Sequence, residues 1–401
     1  MKKFNLKQYF STFGARIRSL LIISLFLFFT TFFLFCEMSK LNYLMYPPAL
    51  AIGLLCLIYF IKKKQMPNFR PLICVYTFVA LAYLITFIVN PMQALTYKTL
   101  FVLAAFATAI YLSCSIINNQ KIILYSILIA GIIFCIAYLV IYFKQIIKLN
   151  FSDRLGGFFG NENDVALRFS FIAAVLATVV ITNKKYWLLI FVLPIYLFIL
   201  STGSKKGFGC VLLISIYAIF LIFKKKPFVA LIISVSFITI ALIMLFTIPA
   251  LATMKERTLS FISNEKGESA DGSTYTRDLF KNNAYYISFK NLFFGYGING
   301  FAKVTGFGTY SHDNISEVLI DFSIFGLILF YGIVLNCFKG IRFKKYIKDG
   351  SIVYFLMIAI YIVLSTSFIY YESKTFYVLI SICLYLSYKN KLPLKHASIR
   401  I

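Results

Sequence analysis

The sequence predicts an all-α protein, a polytopic transmembrane helix bundle of about 12 spans with one large outer loop that contains an interfacial helix. Three observations predict it. The chain is 61% hydrophobic with mean hydropathy +0.85 and only 13% charged residues, too little polar surface for a soluble protein of 401 residues. Apolar stretches long enough to cross roughly 30 Å of hydrocarbon recur along the whole length. None of them alternates over about ten residues, as the strands of a membrane barrel do.

In order, the spans read 17–36, 43–61, 71–89, 97–115, 122–143, 163–182, 186–201, 207–223, 227–249, 314–338, 351–369 and 374–388. The first has no small-residue cleavage site after it, so it reads as an anchor and not as a removable signal peptide. Short loops join most spans, as in a compact bundle; the seventh and eighth are the shortest hydrophobic runs of the first nine. Three regions result: helices one to nine over 1–249, a large extracytoplasmic loop over 250–313, and helices ten to twelve with a cytoplasmic tail over 314–401. Within the large loop, 263–276 is polar and Gly/Ser-rich. The stretch 277–297 mixes apolar and cationic residues at roughly helical spacing, which suits a helix lying in the membrane interface.

The net charge of +26 would point to nucleic acid in a soluble chain, but its distribution argues otherwise. Lys2, Lys3, Lys7, Arg16 and Arg18, then Lys62–Lys64, Arg70, Lys121, Lys184, Lys185 and Lys224–Lys226 all fall on one side. The run from Lys339 to Lys348 and the tail with Lys389, Lys391, Lys395 and Arg400 join them. The short loops of the other side hold eight: Lys40, Lys98, Lys144, Lys148, Arg154, Lys205, Lys206 and Lys374. The positive-inside rule places the first set, and with it both termini, in the cytoplasm of a multi-pass plasma-membrane protein. Nucleic acid is thereby excluded as a partner. Of the 14 acids, Asp349 alone falls in a cytoplasmic loop. Longer outer loops would explain that bias, and so would chemistry on the outer face. The cysteines, from Cys36 to Cys383, sit in or beside apolar spans without a CxxC pair, so neither a disulfide framework nor a metal site is expected.

Ionisable groups at membrane depth are costly and need a reason. Arg168 lies inside the sixth span, and facing lipid it would cost about 2.5–3.5 kcal/mol. It therefore either lines an outward-open polar cavity or pairs structurally with a neighbouring helix. Asp313, Glu317 and Asp321 follow at i, i+4 and i+8, on one face of the tenth span. Asp313 also fits a helix N-cap, whereas Glu317 and Asp321 lie too deep for capping. His312 stands beside this stripe; a lone histidine is more often structural, but its neighbours favour chemistry. Ser201-Thr-Gly-Ser-Lys205-Lys206-Gly207 places two lysines at a helix N-terminus, where they oppose the dipole, and with its hydroxyls and free N–H groups it forms an anion-site candidate. Arg154, Arg168, Lys205, Lys206 and Arg277 thus oppose a histidine and carboxylates, a set suited to a substrate with a phosphate or pyrophosphate end and a hydroxyl to activate. No Walker loop or HExxH is present, which disfavours an ATP-driven pump.

Four stretches together resemble the O-antigen ligase/polymerase superfamily. They are Gly157-Phe-Phe-Gly160-Asn161-Glu-Asn163, Leu200-Ser-Thr-Gly-Ser204-Lys205, Arg277 followed by Gly295-Tyr-Gly297, and His312-Asp313-Asn314 with Asp321 through Gly326. The likeness covers roughly residues 150–340; the first four spans match only as hydrophobic segments. Lys205 stands where the family usually has Arg, so bidentate phosphate binding there is not expected. Asp313 intervenes between His312 and Asn314, Asp321 replaces Glu, and Ser323 replaces the first Gly of the last motif.

The resemblance implies a membrane glycosyltransferase acting at the outer face on undecaprenyl-pyrophosphate-linked oligosaccharide. Arg168, Arg277 and Lys205 would hold the pyrophosphate, with Arg154, Lys206, Asn161, Asn163, Asn314 and Asp321 completing the substrate site. His312 would act as base or orienter, its tautomer set by Asp313 or Glu317. No metal or other cofactor is required, and membrane lipid, a flippase and a chain-length regulator are the implied partners. A repeat-unit polymerase for capsule, exopolysaccharide or O-antigen is the leading expectation, with a ligase of finished glycan next. A flippase, as a secondary transporter, would show two similar halves, and the off-centre large loop argues against it.

Overall fold

The computed structural model describes residues 6–38, 40–64, 67–148, 154–223, 227–228, 272–366 and 369–389, with the backbone alone described at 6–12, 205, 272–275 and 366. The described residues are helical with no strand. The main helices are α1 (Leu6–Phe35), α2 (Tyr46–Lys63), α3 (Ile73–Val89), α4 (Pro91–Thr96), α5 (Thr99–Ile117), α6 (Gln120–Ile141), α7 (Phe143–Ile147) and α8 (Glu162–Thr182). They continue with α9 (Val192–Ser201), α10 (Lys205–Phe223), α11 (Gly272–Lys290), α12 (Gly300–Thr305), α13 (Asn314–Phe338), α14 (Phe343–Asp349), α15 (Ile352–Val363) and α16 (Lys374–Lys389).

Local sequence explains the ends. Pro47 and Pro48 open α2, where their missing N–H costs nothing, and Lys62 and Lys63 sit in its last turn, where cations complement the dipole. Asn90, Asn119, Asn161 and Asp313 cap α4, α6, α8 and α13 by accepting backbone N–H bonds.

Eight helical segments among the described residues are long and apolar enough to cross a membrane, and they match the first six, the eighth and the tenth expected spans. The fourth is longer than expected because α4 leads into α5. The seventh is a 3-10 turn followed by the ten-residue α9, and the twelfth is the 16-residue α16. The eleventh is α15, which meets α14 at 110°, a bend formed where Gly350 turns the chain with φ +81. The ninth, 227–249, lies outside the described residues beyond Phe228, as does the loop up to 271.

Helix α8 is the centre of the bundle, buried along most of its length between α6, α9 and α10, while α1 packs on α6 and α2, α5 on α16, and α13 on α3 and α11. The outward faces carry exposed Leu50 and Leu57 on α2, Ile88 on α3, Ile136 on α6, Ile216 on α10 and Leu335 on α13. Apolar residues on the outside of a bundle with a packed interior are what a hydrocarbon surrounding requires.

One correction concerns the expected interfacial helix over 277–297. The helix starts earlier, at Gly272, and stops at Lys290. Residues 291–297 leave it because Gly295 and Gly297 are needed for a different task. Helix α13 is broken at Ser323 (φ +65, ψ −176), a backbone conformation essentially confined to glycine. The break frees the carbonyls of Ile320 and Asp321, which accept from the N–H groups of Tyr296 and Gly297 at 2.9 Å each, while the Ile324 N–H donates to Leu292 at 3.0 Å. A side chain at Gly295 would meet the Asp321 carbonyl oxygen at 2.2 Å, so only glycine allows this approach.

Candidate functional site

The four motif stretches, far apart in sequence, meet at one end of the bundle. The first two are bonded directly. The Arg154 guanidinium donates to the Thr202 carbonyl (3.1 Å) and to Asn163 Oδ1 (3.4 Å) and pairs with Glu162 (3.7 Å). Ser204 Oγ donates to the same Asn163 oxygen at 2.8 Å. Gly203, at φ +61, lets the hairpin turn under Arg154. Asn161 caps α8 through the Asn163 N–H (2.9 Å), and Gly160, at φ +116, lies so near Glu37 that an added Cβ would sit 2.5 Å from the glutamate Cβ. Asn161 and Asn163 are thus engaged in holding the two segments together.

Arg168 is corrected from a cavity-lining residue to a buried clamp. It is 1% exposed and donates to the carbonyls of Phe33 (2.5 Å) and Phe159 (2.8 Å), with its guanidinium carbon 5.2 Å from the Phe134 ring centroid. The loop ending in Gly160 brings the Phe159 carbonyl over the first turns of α8, and the guanidinium ties that loop to the end of α1 through one N–H on each terminal nitrogen. Of the two readings the sequence left open, the geometry matches structural pairing with a neighbouring helix.

Two further basic residues lie nearby. Lys206 is partly buried in the first turn of α10, with the charges of Arg277, Asp164 and Arg154 acting on it. The side chain of Lys205 lies outside the described residues. Arg277, in the second turn of α11, is half-buried and acts together with Lys206 on His312.

His312 precedes α13 in a left-handed conformation (φ +62) and sits in an aromatic box. Its ring stacks on Phe280 (6.2 Å between centroids, 8° between planes) and tilts against Tyr310 at 4.2 Å. Burial first, then the positive charges of Arg277 and Lys206, push the imidazole down to about 4, so it is neutral near pH 7. Tyr310 is pushed up from its ordinary value by burial and by the negative charges of Asp164 and Glu317, against the opposing effect of Arg277.

The carboxylates behind the histidine bond to groups other than its ring, which departs from the expectation that Asp313 or Glu317 sets its tautomer. Asp313 Oδ2 accepts from the Ser316 N–H (2.7 Å) and the Tyr285 hydroxyl (3.1 Å), and Glu317 accepts from the Ser311 N–H (2.6 Å). Turned inward to cap and brace the helix start, neither bonds His312. Asp313 Oδ1 is buried without a hydrogen-bond partner among the described residues. Asp321 accepts from the Gly300 N–H (2.8 Å) and the Tyr371 hydroxyl (2.7 Å). Asn314 Oδ1 accepts from the N–H groups of Tyr370 (2.8 Å) and Tyr371 (3.0 Å), docking the turn before α16. Asp321 and Asn314 therefore serve the packing of the large loop and the last helix.

Several participants escaped sequence reasoning. Tyr310 and Phe280 wall the histidine, Asp164 faces Lys206, and Lys374 pairs with Glu37 (3.8 Å) while donating to the Cys36 carbonyl. Tyr97 donates to Glu372, whose carboxyl burial pushes up above its ordinary range. The available signal was an ionisable residue in the first turn of an apolar helix, which Asp164 and Lys374 satisfy; Glu372 lies in the turn before α16 and carried no such signal. Among the described residues no group of three or more His, Cys, Asp or Glu side chains is placed to hold a metal ion.

The arrangement can neutralise an anion on Arg277 and Lys206 while a neutral imidazole beside them accepts a proton. No protein-family model matches this chain. A search of curated proteins likewise found no match.

Proposed function

We propose that this chain is a membrane glycosyltransferase that polymerises undecaprenyl-pyrophosphate-linked oligosaccharide repeat units into capsule, exopolysaccharide or O-antigen. It would act at the outer face of the plasma membrane with both termini in the cytoplasm and about twelve spans, the ninth within 227–249. One observation carries this reading. The four stretches that resemble the ligase/polymerase superfamily, separated by up to 150 or so residues, converge on one end of the bundle, where His312 lies within electrostatic reach of the basic residues Arg277 and Lys206.

In this reading Arg277 and Lys206 bind the pyrophosphate of the donor and stabilise it as it leaves. The acceptor sugar hydroxyl attacks the anomeric carbon, the bond from that carbon to the pyrophosphate oxygen breaks, and the hydroxyl proton passes to the ring of His312. The charge pattern couples these steps. A bound pyrophosphate offsets the two cations that depress the imidazole, so His312 becomes a stronger base when the donor is in place. Pyrophosphate is a good leaving group, and the chemistry of the donor set requires no metal.

The test is surface polysaccharide from a deletion strain, sized on a gel beside strains restored with wild type, His312→Ala or Arg277→Ala. Polymerisation predicts a single repeat unit in the deletion, a ladder with wild type, and no ladder with either variant. A full ladder from His312→Ala at normal levels would sink the base assignment. A normal-length ladder retained on its lipid carrier would identify a ligase instead.

A further inference from the structure

At the end of the bundle opposite the site, the helix ends line a half-open cavity of about 210 Å³, with Arg70 exposed at its mouth. Arg70 and Pro71 contribute from the turn before α3, Cys74 from α3, Asn336 from α13, and Leu384 and Tyr388 from α16. We propose that this cavity binds the phosphate-bearing headgroup of an anionic phospholipid.

The donors left over in the lining define the ligand class. The Asn336 amide donates to Cys74 Sγ (3.3 Å), and the Ser387 hydroxyl donates to the carbonyls of Asn336 (3.1 Å) and Lys339. The Asn68 amide donates to the Tyr388 oxygen, which leaves the Tyr388 proton to give. Arg70 uses only its backbone N–H, bonded to Asn68 Oδ1 (2.9 Å); its guanidinium makes no hydrogen bond or ion pair with another described residue. The lining therefore presents unused donors, one of them a permanent cation, and no carboxylate. An anion with several acceptor oxygens complements that set, and a guanidinium fork matches phosphate geometry.

Size excludes a glycan, and two further features select a lipid over a free anion. The cavity is smaller than the roughly 300–1,000 Å³ of pockets that enclose a drug-sized molecule, which suits a headgroup and not a glycan. Phe69 (40% exposed) and Ile73 (54% exposed), the chain neighbours of the lining residues Arg70 and Cys74, offer apolar surface for acyl chains. Lys62–Lys64 and Lys389 end helices on the same side, the side that the positive-inside rule assigns to the cytoplasm, where anionic lipids concentrate.

Native mass spectrometry of the full chain in detergent, titrated with phosphatidylglycerol or phosphatidylcholine, tests the site. Wild type is expected to retain phosphatidylglycerol in preference to phosphatidylcholine. Arg70→Gln should weaken retention roughly tenfold or more, the effect of losing one charge-assisted contact. Tyr388→Phe should weaken it by a smaller factor and Arg70→Lys should keep most of it, with thermal melting confirming that each variant is folded. Equal retention by wild type and Arg70→Gln would overturn the proposal. So would displacement of the lipid by millimolar inorganic phosphate, which would mark a free-anion site.

Discussion

Replacing Arg168 by Met keeps most of the side-chain volume and removes the guanidinium, which separates its two possible roles. The Phe33 and Phe159 carbonyls would lose donors held at 2.5 and 2.8 Å, in a place where water cannot replace them. Each orphaned carbonyl costs roughly 1–3 kcal/mol, and losing the contact with the Phe134 ring costs about 0.5–2 kcal/mol more. Part returns because a buried charge no longer has to be desolvated, leaving a net loss on the order of 2–5 kcal/mol. Thermal unfolding in detergent and the amount of protein in the membrane measure the loss, and the polysaccharide ladder is scored per folded molecule. The expected result is a much lower melting temperature with chemistry per folded molecule largely kept. A variant with unchanged melting temperature and no ladder would refute the clamp and return Arg168 to the pyrophosphate.

Arg277→Gln should raise the His312 pKa from about 4 toward its ordinary value, because it removes the larger of the two cationic effects. An NMR titration of the His312 ring in the two proteins should show the rise, and an unmoved value would disprove the electrostatic coupling between Arg277 and His312. The same histidine has a stability signature. Its folded pKa is depressed, so its contribution is complete above pH 6.5 and is lost as pH falls through about 4. Melting temperature should fall over that window in wild type and less so in His312→Phe. Gly295→Ala places a Cβ 2.2 Å from the Asp321 carbonyl, backbone against backbone, so the loop 291–297 should detach from α13 with a loss of several degrees in melting temperature. Ser323→Gly relieves a strained conformation costing about 1–3 kcal/mol, against the lost bond from the Phe325 N–H (3.3 Å) and added chain entropy. Unfolding should therefore show unchanged or raised stability, whereas Ser323→Val should lower it.

Much of the candidate site was legible before the fold was known. Residues whose type is unusual for their surroundings announce themselves: Arg168 and Glu317 at membrane depth, His312 at a helix start, and Lys206 against a helix dipole. Their partners did not, because a hydrogen bond between Asn314 and Tyr370 spans 56 residues and leaves no local trace. The direction in which each side chain turns was equally hidden. Asp313 adjoins His312 in sequence, yet it caps α13 while the histidine, in a left-handed conformation, turns into an aromatic box.

The sequence by itself determined the all-helical class, the positions of the long apolar helices and the segregation of basic charge. These follow from hydrophobicity and spacing along one helix at a time, which are local properties. Tertiary structure alone decided that Arg168 is a clamp, that the Gly295-Tyr-Gly297 stretch docks on a helix broken at Ser323, and that a neutral histidine meets Lys206 and Arg277. Each of those outcomes depends on which backbone carbonyls and charges are brought near one another by helices distant in the chain.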